Sequence, residues 1–137
     1  MGLIQLERLG ESKDGYLSFF EAARHIPFEI KRIYYIYDVP INAKRGMHAH
    51  KRLRQVLWCP YGHMEILLDD GREAVAYTLD TPDKLLLVEG QWRDMYWRQP
   101  GSVLCVAASD YYDEEDYVRD YDEFLRLVKE GYWSDER

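Results

Sequence analysis

The chain has 137 residues, 47% of them hydrophobic, and a formal net charge of −7 at pH 7. This length suits one domain with one core, and no apolar run is long enough to span a membrane. The acidic balance argues against a nucleic-acid partner, and the charged first residues do not resemble a signal peptide. We therefore expect a single soluble, cytoplasmic domain over residues 1–137, with neither nucleic acid nor membrane as a partner.

The first 110 residues have the pattern of an all-β fold. Runs of β-branched, Leu and aromatic residues alternate with turn signals such as Asp69-Asp70-Gly71 at intervals of about eight to twelve residues, which indicates a sandwich or barrel. The predicted strands are Ile4–Leu9, Tyr16–Phe20, Ile30–Asp38, Gln55–Cys59, His63–Leu68, Ala74–Leu79, Leu85–Val88, Asp94–Trp97 and Val103–Ala108.

A basic cluster interrupts this acidic chain. Lys44, Arg45, Lys51, Arg52 and Arg54 follow one another with no acidic residue between them. On a protein of net negative charge, such a cluster favours a small anionic ligand over a polyanion. A solvated strand edge is the alternative interpretation.

His48 and His50 are the most informative residues of the chain. Alternate residues of a strand project from the same face, so both imidazoles should point the same way. Gln55 and then Gly62 follow them. This His-x-His pattern, followed by an amide and a glycine turn in an all-β chain, resembles the first motif of the cupin superfamily.

Many cupins bind a metal at this motif, but the donors here are few. Such a site usually needs three or four protein ligands, and this chain offers two histidines with Gln55 in place of the usual acid. Arg93 stands where a second motif would bring a further histidine, and a guanidinium beside two imidazoles opposes a divalent cation. We therefore predict no metal.

Without a metal, the histidine pair suits acid–base chemistry. An imidazole titrates near neutral pH and can take and return a proton. A neighbouring cation, Arg45 or Arg93, could stabilise an enolate-type oxygen as it forms. Together these groups suit proton abstraction next to a carbonyl.

The residues after Val103–Ala108 change to a helical pattern. Apolar or aromatic residues recur at helical spacing between Asp113 and Lys129. The acids at its start suit a helix N-terminus, and Gly131 is a plausible stop. We expect the barrel to cover about residues 1–110 and a C-terminal helix about residues 113–130, with the acidic run on a solvated face.

Five segments carry a resemblance to a known family. RIYYIYDVP, RGMHAHKRLRQVL, LDDG, QWRDM and ASDYYDEEDYVRDYDEF resemble the dTDP-4-keto-6-deoxyglucose 3,4-ketoisomerases, from about Leu3 to Phe124. The resemblance implies a metal-free cupin-type jelly-roll barrel of antiparallel strands. It also implies an enzyme whose product is used in the synthesis of 3-amino-3,6-dideoxy sugars. It also implies a homodimer with exchanged N-terminal strands, one dTDP-linked 4-keto-6-deoxy sugar per barrel and no cofactor, because the isomerisation leaves the oxidation state unchanged.

The resemblance also assigns roles to residues. His48 and His50 would transfer the protons through an enediol, Tyr35 and Arg45 would line the site, and Lys51 and Gln55 would lie near it. A second group of candidates for substrate binding consists of arginines that could contact the sugar or the diphosphate: Arg32, Arg72 and Arg93.

Three places in the sequence bear on the branch of the family and on how closely the pattern is matched. Trp92-Arg93-Asp94 resembles the branch that gives the gluco-configured 3-keto product, Asp14 matches neither branch, and Glu89-Gly90 replaces a more usual Gly-Pro. A dTDP-sugar 3,5-epimerase and a non-catalytic nucleotide-sugar-binding cupin remain alternatives. A metal-dependent dioxygenase is a third.

Overall fold

The computed structural model describes residues 2–133, so Met1 and residues 134–137 of the predicted domain lie outside the described residues. Two five-stranded antiparallel sheets, ordered β1-β9-β6-β11-β4 and β12-β5-β10-β7-β8, accompany a small β2-β3 hairpin. The strands are β1 (Leu3–Gln5), β2 (Leu9–Glu11), β3 (Gly15–Leu17), β4 (Arg32–Ile36), β5 (Lys44–His50), β6 (Arg54–Tyr61), β7 (Met64–Asp69), β8 (Ala74–Leu79), β9 (Lys84–Glu89), β10 (Trp92–Trp97), β11 (Val103–Ala108) and β12 (Tyr117–Val118).

The main hydrophobic core lies between the two large sheets. Strand β7 shows the alternation that builds it, because Met64, Ile66 and Leu68 are buried while the residues between them are partly exposed. Trp97 and Leu104 enter the same core from β10 and β11. Each such side chain contributes on the order of 2 kcal/mol by leaving water.

Each large sheet is also covered on its outer face. Leu6, Ile26 and Phe28, from the N-terminal segment, pack on Val56 and Leu85 of the first sheet. Helix α1 (Tyr121–Lys129) covers the second sheet. The helix buries Phe124 and Leu127 in one hydrophobic cluster with the outward-facing Trp92. The described residues contain no helix with the length and apolar character that a membrane crossing needs.

The predicted all-β fold of antiparallel strands with a C-terminal helix is confirmed, with one correction in the tail. The helix begins at Tyr121, after Asp120 caps it by accepting a hydrogen bond from the Asp122 backbone N–H, and not at Asp113. A short 3₁₀ turn (Glu114–Asp116) and strand β12 occupy the region before it. The chain leaves the helical path there because Tyr117 pairs with His50 in the second sheet. In addition, the predicted strand Ile4–Leu9 is divided into β1 and β2.

Candidate active site

A β-bulge in β5 sets the direction of the two histidines. His48 is paired with Arg93 and Gly46 with Asp94, so Met47 is an extra residue in β5. Gly46 and Met47 have positive φ values of 95° and 57°, and bulges of this kind re-aim the side chains beside them. A Cβ on Gly46 would lie 2.8 Å from the Arg93 carbonyl oxygen. Glycine is therefore required at this position for the two strands to approach.

The two imidazoles lie side by side with a tyrosine against both. The ring centroids of His48 and His50 are 5.0 Å apart with an interplanar angle of 88°. The Tyr117 ring lies 5.0 Å from that of His48 and 4.4 Å from that of His50. The Nδ1 of His48 is 3.1 Å from the Gly46 carbonyl oxygen, which favours the tautomer with the proton on Nδ1 and a free lone pair on Nε2.

A buried arginine connects the histidines to the opposite sheet. Arg93 is 2% exposed and donates a hydrogen bond from Nη1 to the Gln55 side-chain oxygen. The Gln55 amide in turn donates to the Tyr34 hydroxyl at 2.8 Å. The register places Arg93 directly opposite His48, so its side chain projects from the same face of the sheet. This chain of contacts holds a cation beside both imidazoles.

Burial and this cation keep both histidines neutral. Burial, followed by the charge of Arg93, lowers the pKa of His48 to about 3 and that of His50 to about 2. Burial also lowers the pKa of Arg93, but only to about 10, so the guanidinium stays charged at neutral pH. Burial raises the pKa of Tyr34, and the phenol stays protonated. The site therefore holds two neutral bases and a permanent cation.

Several polar atoms of the site have no partner within the chain. Of the seven buried side-chain nitrogen and oxygen atoms that lack a hydrogen bond in residues 2–133, four belong to Arg32, His50 and Arg93. Buried polar groups normally have a partner, so such a concentration marks a place where a ligand can supply one. The unpartnered atoms are mostly donors, which suits a ligand rich in oxygen.

The structure brings together only part of the predicted site. His48, His50, Gln55 and Arg93 meet as described. Arg32 joins them, because its guanidinium lies 5.1 Å from the centre of the Tyr34 ring.

Arg45 and Lys51 lie at the margins of this group. Arg45 is exposed and opposite Met95 in the register of β5 and β10. Lys51 follows β5, and its backbone N–H donates to the Asp116 carbonyl oxygen at 2.9 Å.

Two predicted residues lie elsewhere. Tyr35 is 62% exposed and sits on the opposite face of β4 from Arg32 and Tyr34, because alternate residues of a strand face opposite sides. Within this chain Tyr34 faces the two histidines, and Tyr35 faces away from them. Arg72 lies exposed in the β7–β8 turn, where the neighbouring Gly71 faces Val128 of α1, and no contact among the described residues joins it to the histidines.

Sequence reasoning missed Tyr34, Tyr117 and Asp116. Tyr34 could have been found from strand parity, because Arg32 was already a candidate and lies two residues before it. The positions of Tyr117 and Asp116 depend on strand β12, which the helical pattern of the tail concealed. In residues 2–133, no three His, Cys, Asp or Glu side chains form a group that could hold a metal ion.

Two facing antiparallel sheets with a His-x-His pair and a buried arginine inside them define a cupin-type barrel with a polar interior site. Comparisons with known proteins refine this class. The family model described as FdtA, WxcM-like, C-terminal, matches residues 1–129. The TDP-4-oxo-6-deoxy-alpha-D-glucose-3,4-oxoisomerase of Aneurinibacillus thermoaerophilus is 43% identical over 136 residues, covering 94% of this chain and 97% of that protein. The chain belongs to the FdtA family.

Solved structures agree with this assignment. The sugar 3,4-ketoisomerase QdtA of Thermoanaerobacterium thermosaccharolyticum, in complex with TDP, has a TM-score of 0.88, 40% identity and 93% coverage of both chains. A variant of QdtA with one histidine replaced by asparagine is described in complex with TDP-4-keto-6-deoxyglucose. A 3,4-ketoisomerase of Helicobacter canadensis has a TM-score of 0.87 and 44% identity, covering 93% of this chain and 96% of that one. The predicted resemblance to the 3,4-ketoisomerases is confirmed.

Proposed function

We propose that this protein is a sugar-nucleotide 3,4-ketoisomerase that acts on TDP-4-keto-6-deoxyglucose and moves the ketone from C-4 to C-3. The observation that carries the proposal is the pair of neutral imidazoles beside the buried Arg93 cation. The similarity to QdtA, which has been described with both TDP and this sugar nucleotide, supports the choice of substrate.

The proposed reaction uses the acidity of the C-3 hydrogen, which is alpha to the C-4 ketone. One imidazole takes that proton, the electrons of the C-3–H bond form a C-3–C-4 double bond, and the C-4 oxygen becomes an enolate. A proton passes from the C-3 hydroxyl to the C-4 oxygen, which gives the other arrangement of the enediolate. Return of a proton to C-4 then leaves a ketone at C-3 and a hydroxyl at C-4, with no net oxidation.

The charges of the site suit two features of this reaction, an unprotonated base and a developing enolate oxygen. The neutral imidazoles have lone pairs available at neutral pH, because their pKa values of about 3 and 2 lie far below it. The enolate oxygen needs a cation that does not itself lose its proton, and Arg93 retains its charge. In a buried site such a fixed charge acts more strongly than in water.

We propose the gluco configuration for the product. The C-3 and C-4 hydrogens of a gluco ring lie on opposite faces, so the C-4 proton must arrive on the face opposite to the one that lost its proton. One group on one side of the ring cannot do both, so this product needs a second proton donor on the other side. The Trp92-Arg93-Asp94 segment supports the same choice, because it resembles the gluco branch of the family.

We also propose a homodimer in which the N-terminal strands are exchanged. Strand β1 is an edge strand and contacts the first sheet through three residue pairs with β9, so the same strand of a partner could replace it at little cost. At the other edge, Ile33, Tyr35 and Tyr37 are exposed on and just after β4, an apolar patch that a partner would cover. Light scattering on the purified protein should give twice the monomer mass, and a monomer would contradict this part of the proposal.

The proposed compartment is the cytoplasm. The two cysteines, Cys59 and Cys105, are free thiols, as is usual for proteins of a reducing compartment.

The test of the activity is incubation with TDP-4-keto-6-deoxyglucose in deuterated water, followed by NMR of the product. We expect a ketone at C-3, deuterium at C-4, and coupling constants of a gluco ring. Exchange at C-3 and C-5 with the ketone still at C-4 would instead identify a 3,5-epimerase. Tight binding without exchange would identify a binding module, and both of these results would refute the proposal.

A further inference from the structure

Asp116 is a buried carboxylate that has no role in the proposed reaction. It lies at the end of the 3₁₀ turn before β12 and is 5% exposed. Its Oδ1 accepts a hydrogen bond from the Arg52 backbone N–H at 2.8 Å, and its Oδ2 accepts one from the Leu53 N–H at 3.1 Å. The carboxylate thus holds the backbone that follows His50.

The same carboxylate lies against the His50 ring. Its Oδ2 is 3.3 Å from the His50 Nδ1, although the angle at this nitrogen is too bent for a hydrogen bond. Hydrogen bonds of active sites often tighten when substrate binds, and these two atoms are already within hydrogen-bonding distance. The Arg52 side chain, the other basic side chain near this carboxylate, is exposed and 3.9 Å away.

The charges around His50 give this contact its importance. Arg93, Arg32 and Arg119 all oppose a positive charge on the ring, as His48 does when it is protonated. In residues 2–133, Asp116 is the one carboxylate within 4 Å of a ring nitrogen of His50. When His50 takes a proton from the substrate, Asp116 is therefore the group placed to balance the new charge.

We propose that Asp116 is a positioning residue that acts through His50. It holds the proton of the neutral ring on Nδ1, directs the lone pair of Nε2 to the substrate, and stabilises the imidazolium that forms during proton transfer. His48 differs, because its Nδ1 faces the uncharged Gly46 carbonyl oxygen. The inference rests on the proposed function for its catalytic part, whereas the tautomer it assigns to His50 is a property of the protein alone.

The tautomer is read first, on the unaltered protein without substrate. The nitrogen-15 shifts of a histidine distinguish a protonated Nδ1 from a protonated Nε2. We expect His50 to carry its proton on Nδ1. A proton on Nε2 would overturn the inference, even if the protein is an active ketoisomerase.

The second test compares Asp116→Asn with a matched control, Asp113→Asn. Asp113 belongs to the same acidic run and contacts Arg52 and the Glu115 N–H, but it does not touch His50. For Asp116→Asn we expect kcat to fall by roughly 10² to 10⁴, KM to change much less, and the His50 proton to move to Nε2. The control should keep kcat within about threefold, because its contacts reach only the turn and the exposed Arg52 side chain.

Three results decide the inference after the tautomer is known. A folded Asp116→Asn protein with kcat within about threefold of the parent would overturn it. Equal losses in kcat for both variants would also overturn it, since they would show a role in folding the turn. If Asp116→Asn does not fold, Asp116→Glu retains the charge and should restore the Nδ1 tautomer with partial activity. Absence of turnover in the parent would refute the proposed function and leave the tautomer measurement valid.

Discussion

Mild acid is expected to destabilise this protein through its two active-site histidines. His48 and His50 have pKa values of about 3 and 2 in the folded chain, against about 6.5 for an unfolded histidine. Below that value the unfolded state binds more protons than the folded state. The free energy of unfolding therefore falls as the pH falls below about 6.5, and it continues to fall until the folded-state values are reached.

Over a narrow pH range, the loss of unfolding free energy depends only on histidine protonation in the unfolded chain. Between about pH 7.5 and pH 5.5 the histidines of the folded protein remain neutral, whereas those of the unfolded chain become protonated. Each histidine therefore lowers the free energy of unfolding by about 1.4 kcal/mol over this range. Two histidines then remove about 3 kcal/mol, a large part of the stability of an ordinary domain. Most carboxylates titrate below this range.

The assay is urea unfolding at both pH values, for the parent protein and for His50→Asn, at one protein concentration because association would shift the midpoint. The free energy of unfolding should fall by about 3 kcal/mol in the parent and by about half of that in the variant. A parent whose stability is unchanged between the two pH values would refute the reasoning. A variant that loses as much as the parent would show that other groups are responsible.

The remaining predictions concern the residues around the histidines. Arg93→Met should lower kcat by about 10² to 10³ and move the acidic limb of the kcat/KM profile to higher pH, because the Arg93 charge lowers both histidine pKa values; an unchanged profile would contradict this. Gly46→Ala should lower the unfolding free energy by about 1–3 kcal/mol, since its Cβ would approach the Arg93 carbonyl oxygen; an unchanged urea midpoint would contradict this. Tyr34→Phe should reduce kcat about tenfold through loss of the Gln55 hydrogen bond, whereas Tyr35→Phe should leave kcat within about twofold. A larger loss of kcat in Tyr35→Phe than in Tyr34→Phe would show that Tyr35 lines the site.

The sequence was most informative where strand periodicity and chemistry agree. His48 and His50 share a face because they are two residues apart in one strand, and Gln55 and Arg93 meet them from neighbouring positions of the barrel. Periodicity also places Arg32 and Tyr34 together and Tyr35 on the other face. Arg32 and Tyr35, which were both predicted to belong to the site, therefore lie on opposite faces of their strand.

Other features depend on contacts between distant parts of the chain. The bulge at Gly46 and Met47 is a shift in the pairing of β5 with β10. It depends on both strands, so the sequence of β5 alone does not predict it. The tail has the composition of a helix from Asp113 onward, yet Tyr117 finds a strand partner in His50. Asp116 was interpreted as part of a solvated acidic face, whereas backbone N–H groups of residues 52 and 53 bind it in the interior.

The central claim is that His48 and His50 transfer the protons, and single replacements of each by asparagine test it most directly. Turnover of TDP-4-keto-6-deoxyglucose and binding of TDP are measured on His48→Asn, His50→Asn and the parent. We expect each variant to bind TDP as the parent does, because binding of the diphosphate and the thymine requires no proton transfer. We expect turnover to fall by roughly 10² to 10⁴. Near-parental turnover in both variants would contradict the account.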